Sequence, residues 1–391
     1  MKKLFLGTLF ATVAALAASP ARSEDILIGY LPSGSGPFAT FSKTNQIAAQ
    51  MAVDEVNASG GVNGKKLRII AFETEGKPDQ AVVGLRKLTD DDKVMAVIGP
   101  FSSSECRVAF PAAERAGVPV MSMASSAPNL AEPFTFAFRN TSDEAYLFDR
   151  VMRALKEKNY PAQTAAIAYA TDDVISKTMG EKVLPALMQK AGTEIKLSVT
   201  FQSQAFDLAP QVSQLVAQPT DLLGIGSGPE TAVRLVQELR RQGGKARPVA
   251  GSTIADPELP RLMGAAGNGT VIPTAFYANL NDRTRKFEAE FLNRTKAAGI
   301  DRTASAQFDA ATYDIVLIYA AAIKTAKVTG DAANLGAERA ALRDELRQMK
   351  DFPALEGAIS FGKNGDALKP VYVIEMNDAK WNLIANYPPN S

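Results

Sequence analysis

Three loops of this sequence carry hydroxyls, glycines and prolines in an arrangement suited to gripping an anion. They are Leu31-Pro32-Ser33-Gly34-Ser35-Gly36-Pro37-Phe38, Gly99-Pro100-Phe101-Ser102-Ser103-Ser104-Glu105 and Ser122-Met123-Ala124-Ser125-Ser126-Ala127-Pro128. Hydroxyls and unpaired N–H groups at a helix start bind a carboxylate-sized anion without any basic side chain. In a single loop such serines are most simply helix caps. Three loops of one kind, each following a strand-like run, point instead to a shared site, with Ser102, Ser103, Ser125 and Ser126 as candidates.

Other chemistries lack their parts. The chain has no histidine, which removes Ser-His-Asp and Cys-His nucleophiles, His-ligated zinc and the commonest acid–base residue near neutral pH. One cysteine, Cys106, allows no intramolecular disulfide and no thiolate cluster. Cys106 stands near a helix start, where a thiolate is stabilised, but without histidine it reads as a small packed residue. The stretch from Gly60 to Lys66 imitates a phosphate loop, yet Ser59 occupies the first glycine position and Lys66 replaces the magnesium-binding hydroxyl. Gly224-Ile225-Gly226-Ser227-Gly228-Pro229 fails as a dinucleotide motif because Pro229 takes the last glycine position, where it starts a helix well. Glu73 with Glu75, and Asp172-Asp173, are the acid pairs a hydrolase would need, but nothing beside them marks a nucleophile or proton donor. The reading is a binding protein, with no metal and no cofactor.

The elements that position these loops alternate in type. Strand-like runs at Ile26–Tyr30, Leu67–Phe72, Val94–Gly99 and Val118–Met121 enclose helical patterns near 47–56, 80–88 and 105–116. The pattern restarts downstream. Strands at 164–169, 195–201, 222–225 and 248–251 are separated by helices at 177–191, 208–216 and 230–242. Such alternation with short connections builds parallel sheets flanked by helices. Late helices at 306–324 and 335–350 follow. A strand pair, Ala358–Phe361 and Val371–Met376, is joined across the turn Gly362–Asp366. The length, 391 residues at 46% apolar content, calls for two domains. With 43 basic and 42 acidic residues there is no field to hold a phosphate backbone, so nucleic acid is not an expected partner.

Residues 1–23 read as an address. Lys2 and Lys3 precede an uncharged apolar run, Leu4–Ala18, with Ala21 and Ser23 at cleavage-compatible positions. The run is shorter than the roughly 20 residues of a membrane anchor. No cysteine marks a lipid attachment. Removing the leader takes away Lys2, Lys3 and Arg22, leaving a soluble exported chain of slight negative charge. Export without disulfides fits a bacterial periplasm.

Several segments together resemble the type I periplasmic binding proteins, most nearly the leucine/isoleucine/valine-binding receptors of ABC importers. They are Ile26–Tyr30 with Ser35-Gly36-Pro37; the run from Ala52 to Gly64, including Asp54, Asn57, Gly60 and Gly61; Val97–Ser103; Ser126-Ala127-Pro128; and Gly228-Pro229-Glu230. The resemblance implies an α/β fold of two Rossmann-like lobes on a three-strand hinge, with 24–141 plus 276–354 as lobe 1 and 142–275 plus 355–391 as lobe 2. It implies no catalysis, a small carboxylate solute, a monomer, and an inner-membrane ABC permease as partner. Carried over residue by residue, Ser103, the backbone of Ala124, and Ser126 hold the ligand carboxylate. Phe41 is an aromatic wall, Phe308 an opposing contact, and Ile175 stands where many relatives have tyrosine. Gly226 and Ser227 lie where others place an aromatic.

Thr253 falls where amino-acid-binding relatives carry an acid for the ligand ammonium. Burying an unpaired ammonium costs several kcal/mol. Either another acid substitutes (Asp172, Asp173, Glu230 or Asp256) or the ligand lacks an amine, as an aromatic or branched aliphatic acid would. Two rival readings remain. One is a sensor module reporting closure to a membrane receptor, and the other is a carboxylate-dependent periplasmic hydrolase.

Overall fold

The computed structural model describes residues 25–35, 39–355 and 357–389. The expected leader, and Gly36, Pro37 and Phe38 of the first loop, lie outside them. The chain opens with β1 (Ile26–Tyr30), α1 (Ser42–Ala58), β2 (Leu67–Ala71), α2 (Pro78–Arg86), β3 (Ala96–Ile98), α3 (Ser103–Ala116), β4 (Val120–Ser122) and β5 (Ala137–Arg139). These strands form one parallel sheet in the order β2-β1-β3-β4-β5. The strands are short and β3 is buried at every position, as a sheet covered on both faces requires.

The chain then crosses over. It continues through α4 (Glu144–Glu157), β6 (Thr164–Ala170), α5 (Val174–Thr178), α6 (Leu184–Lys190), β7 (Glu194–Phe201), α7 (Ala209–Ala217), β8 (Leu222–Gly226), α8 (Pro229–Arg241), β9 (Arg247–Ala250), α9 (Leu259–Met263) and β10 (Val271–Thr274). A second crossing leads back to α10 (Asp282–Ala297), α11 (Gln307–Thr325) and α12 (Leu335–Gln348), and α10 and α11 both pack on α1. A small antiparallel sheet follows, made of β11 (Phe352–Ala354), β12 (Gly357–Phe361) and β13 (Ala367–Leu368). A third crossing delivers β14 (Val371–Asn377) and β15 (Lys380–Tyr387) to a second sheet of order β15-β14-β10-β9-β8-β6-β7. Two Rossmann-like lobes and three connections are the result. No helix among the described residues is long and apolar enough to cross a membrane.

Two local expectations change. The helix expected from Lys177 starts three residues earlier, because Asp173 caps it by accepting from the Ser176 N–H (2.9 Å) and hydroxyl (2.7 Å). It contains a π-turn over Met179–Val183, within which Gly180 passes over the Tyr169 ring so closely that a Cβ would strike it. The expected pairing of 358–361 with 371–376 is not made. The Gly362–Asp366 turn does fold β12 back, but onto β13, which ends after two residues. Lys369 buries its ammonium on the Asn140 carbonyl (2.8 Å) and Pro370 has no N–H to continue a ladder. The chain leaves, and β14 pairs with β10 and β15. The Gly60–Lys66 stretch is a turn closed by a Val62–Lys65 bridge, as expected.

Strand order locates the crevices. In the first sheet the chain runs outward from β1 to β2 and then restarts on the other side with β3. In the second it runs from β6 to β7 and restarts with β8. Ligands in open parallel sheets sit at such reversal points, beyond the carboxyl ends of the strands. The loops after β1 and β3 therefore flank one crevice, and those after β6 and β8 flank the other.

Candidate functional site

The loop after β3 enters α3 through a capping box. Ser102 accepts the Glu105 N–H (3.2 Å) and gives its proton to Glu105 Oε2 (2.7 Å). Glu105 is fully buried and also receives the hydroxyls of Ser33 (3.2 Å) and Thr74. Ser102 and Ser33 thus fix the two loops to each other, and the Ser102 hydroxyl has no hydrogen left for an anion. Ser103 differs. Its oxygen accepts the Ala127 N–H (3.3 Å), which leaves its own hydrogen available beside the unpaired amides of the first α3 turn.

The loop after β4 is held from both sides. Ser122 donates to the Pro100 carbonyl (2.7 Å) and accepts the amides of Ala124 (3.3 Å) and Ser125 (3.0 Å). The Ala124 amide, expected as a carboxylate ligand, is therefore already turned to Ser122. Ser125 lies beside the Cys106 thiol, which burial pushes up to about 12; that thiol is not a nucleophile at neutral pH. Arg139, wholly buried at the end of β5, donates to the carbonyls of Ser125 (3.0 Å) and Ala127 (2.7 Å) and forms a two-pronged pair with Asp366 (2.6 Å each). Ser126 gives its proton to Glu144 Oε2 (2.6 Å), and its carbonyl accepts the Glu144 N–H (2.9 Å).

Phe41 and Phe308, distant in sequence, meet. Their rings stand edge to face at 4.8 Å, and both pack on Phe101, at 5.6 Å and 5.0 Å. Phe101 directly precedes Ser102, so the three rings adjoin the start of α3. Sequence reasoning missed Phe101, although its place one residue before the serines was the available signal.

On the second lobe, Ile175 is buried in the first turn of α5 and Ser227 follows β8. Ser227 donates to the Gly228 carbonyl (3.1 Å) and its own carbonyl accepts the Thr253 hydroxyl (3.3 Å). Gly226 has a packing role. A Cβ there would lie 2.6 Å from the Ser176 carbonyl oxygen and 3.0 Å from the Tyr169 Cβ. Gly226→Ala is expected to destabilise the lobe by about 1–3 kcal/mol through overpacking, seen as a lower urea midpoint at unchanged slope.

The four acids considered for an ammonium are engaged elsewhere or face solvent. Asp172 accepts the Ser203 amide (2.7 Å) and hydroxyl (2.8 Å), and Asp173 caps α5. Asp256 pairs with the buried Arg302 at 3.2 Å, and Glu230 is exposed in the first turn of α8. Glu73 accepts the Gly34 and Glu75 amides, while Glu75 pairs with Lys77. The acid at the seam is one the sequence did not suggest. Glu144, at the start of α4 and fully buried, joins Ser126 of the first lobe to Ser252 of the second, accepting the Ser252 amide (2.5 Å) and hydroxyl (2.9 Å). Burial pushes its carboxyl above the usual range and these donors pull it back.

The periplasmic binding protein family model matches residues 25–380. The chain belongs to that family. Its members are solute-binding proteins. The chain is 24% identical over 365 residues to the Leu/Ile/Val-binding protein BraC3 of Rhizobium johnstonii, covering 92% of this chain and 94% of that one. It is 26% identical over 273 residues to an amino acid binding protein of Pseudomonas aeruginosa, covering 67% and 70%. Among solved structures, its fold matches that of the branched-chain amino acid transporter substrate binding protein LivJ of Streptococcus pneumoniae in complex with isoleucine. That match has a TM-score of 0.80 at 23% identity and covers 93% and 99% of the two chains. An ABC transporter solute binding protein from Rhodopseudomonas palustris, in complex with 3,4-dihydroxy benzoic acid, has the same TM-score at 18% identity, covering 93% and 98%.

Proposed function

We propose that the chain is the exported, periplasmic solute-binding component of an ABC importer. It captures one small carboxylate between its lobes and presents the closed form, as a monomer, to an inner-membrane permease. The observation that carries this reading is that the α3 start at Ser103, with a hydroxyl hydrogen to give, and the contacting rings of Phe41, Phe101 and Phe308 come together at the reversal point of the first sheet. Ile175, Ser227 and Thr253 line the corresponding ends of the second sheet and form the lid. The solute class is a branched-chain or aromatic carboxylate, with amino acids and aromatic or keto acids both within it; isoleucine and 3,4-dihydroxy benzoic acid in the two related structures span that class. Closure is the whole mechanism, since a difference of a few kcal/mol between open and closed forms lets a ligand shift the population.

A thermal-shift screen of amino, hydroxy, keto and aromatic acids identifies the ligand class, because a solute that binds only the folded state raises the midpoint. With a hit in hand, Ser103→Ala is expected to weaken its binding on the order of ten- to a hundredfold, the worth of a hydrogen bond to a charged group. The fold should be intact by circular dichroism. Unchanged affinity would remove Ser103 from the site and overturn the reading that rests on it.

A further inference from the structure

We propose that Glu144 is a positioning residue that fixes the hydrogen-bond polarity of the cleft, and that it thereby selects carboxylates bearing a donor group next to the carboxylate. The inference rests on the cleft reading above. A hydroxyl has one hydrogen and two acceptor positions, and an ionised carboxylate only accepts. The Ser126 hydrogen therefore goes to Glu144 Oε2 across 2.6 Å, and what remains on Ser126 can meet only a donor. Ser252 is held the same way, with its amide on Oε1 and its hydroxyl on Oε2. The Ser252 carbonyl accepts the Gln307 amide nitrogen (3.0 Å), whose oxygen accepts the Ala275 N–H (2.8 Å); this fixes which end of Gln307 faces Ser252. Gly251 makes the approach possible, since a Cβ there would stand 2.0 Å from Glu144 Oε1.

The same polarity extends to the neighbouring groups. The Thr253 hydrogen is turned to the Ser227 carbonyl and the Ala124 amide to Ser122. Of the side chains carried over to the ligand's polar end, Ser103 keeps a hydrogen to give, while Ser126 and Thr253 offer lone pairs. The cleft has a donor pole and an acceptor pole. A carboxylate on Ser103 with a hydroxyl or amine toward Ser126 satisfies both. A keto oxygen in that position sets lone pair against lone pair, and an unsubstituted acid leaves the acceptors unmet.

Glu144→Gln inverts this arrangement with little change of shape. Its amide oxygen keeps the Ser252 N–H, and its nitrogen, in place of Oε2, donates to both serine oxygens, releasing both hydroxyl hydrogens. The test is calorimetric titration at pH 8 with two matched series. One is phenylalanine, phenyllactate, phenylpyruvate and 3-phenylpropionate; the other is leucine, 2-hydroxy-4-methylpentanoate and 4-methyl-2-oxopentanoate.

The wild type is expected to bind the amino or hydroxy member at least about tenfold more tightly than the keto member, one hydrogen bond's worth of discrimination. Glu144→Gln is expected to shift that ratio toward the keto acid by about tenfold or more. Ser126→Ala should erase the preference without reversing it. A purely structural role for Glu144 would lower all affinities together and leave the ratio alone. If Glu144→Gln does not fold, Ser126→Ala decides, and an unchanged ratio overturns the proposal. A wild-type preference for keto or unsubstituted acids overturns it too, as does a folded Glu144→Gln of unaltered ratio. Both outcomes leave the cleft reading standing when Ser103→Ala still weakens binding. If no member of either series binds, the polarity proposal fails; if Ser103→Ala leaves the affinity of a bound member unchanged, the cleft reading itself fails, and the polarity proposal with it.

Discussion

Asp366→Ala is expected to lower stability by about 3–5 kcal/mol, the cost of stranding one partner of a buried ion pair. Arg139 is wholly shielded from solvent, and Asp366, on the turn before β13, meets its guanidinium with both oxygens. Removing Asp366 leaves a buried cation facing the Ser125 and Ala127 carbonyls, with Asp143 no closer than 4.0 Å. The midpoint of thermal unfolding should fall by roughly 5 °C, at about 1.3 °C per kcal/mol for a chain this long. A second variant separates folding from binding. Arg139→Met combined with Asp366→Leu replaces the pair by apolar side chains of similar bulk, a change that is often neutral or stabilising. That double variant should recover most of the midpoint. It should still bind its carboxylate poorly, because the carbonyls of Ser125 and Ala127 have lost the group that holds the loop beside Ser103. Recovery of both stability and affinity would show that Arg139 has no part in placing the loop.

This pair also shows where the sequence is silent. The parallel sheets were legible because β-branched runs at short intervals alternate with helical periodicity, and the serine-rich loops because they follow those runs. Ser103 does stand at a helix start, as its place after a strand-like run suggests, and its oxygen accepts the Ala127 N–H from 24 residues on. Ser102 and Ser126 look equally suited in sequence, but their protons go to Glu105 and Glu144. For Ser126 that partner comes from the start of the next helix, 18 residues on. Glu144 lies in Asn140-Thr141-Ser142-Asp143-Glu144, a polar run that reads as a solvated helix start. Only the crossing of the chain between lobes buries it. Phe41 and Phe308, which the resemblance places on opposite sides of a pocket, are in contact, since α11 returns to pack on α1. β5 was not legible at all, because three residues ending in a charged arginine carry no strand signal until Asp366 arrives from 227 residues away. In each case the missing information is a long-range contact, which local spacing does not encode.

Asp309 should make the protein less stable as pH rises from 4 to 7, opposite to the usual carboxylate. Its side chain is completely buried in the first turn of α11, directly after Phe308. One oxygen accepts the Ala306 N–H (2.8 Å), and the Thr44 hydroxyl lies near the carboxyl. Burial raises its pKa from 3.8 to about 7, against the pull of Arg302, and Asp256 adds to the rise. The folded state therefore holds the proton more tightly than the unfolded chain. Below pH 4 both states are protonated and nothing is lost. Between 4 and 7 the unfolded chain ionises first, so unfolding becomes progressively easier, and above 7 the penalty is constant. A shift of this size corresponds to at most roughly 4 kcal/mol, at about 1.4 kcal/mol per unit. Asp309→Asn keeps an oxygen for the Ala306 amide and removes the charge, and Arg302 retains Asp256. The variant should match the wild type in unfolding midpoint at pH 4 and exceed it at pH 8, by about 1–3 kcal/mol when expressed as free energy. An equal difference at both pH values would mean that Asp309 enters the fold already ionised.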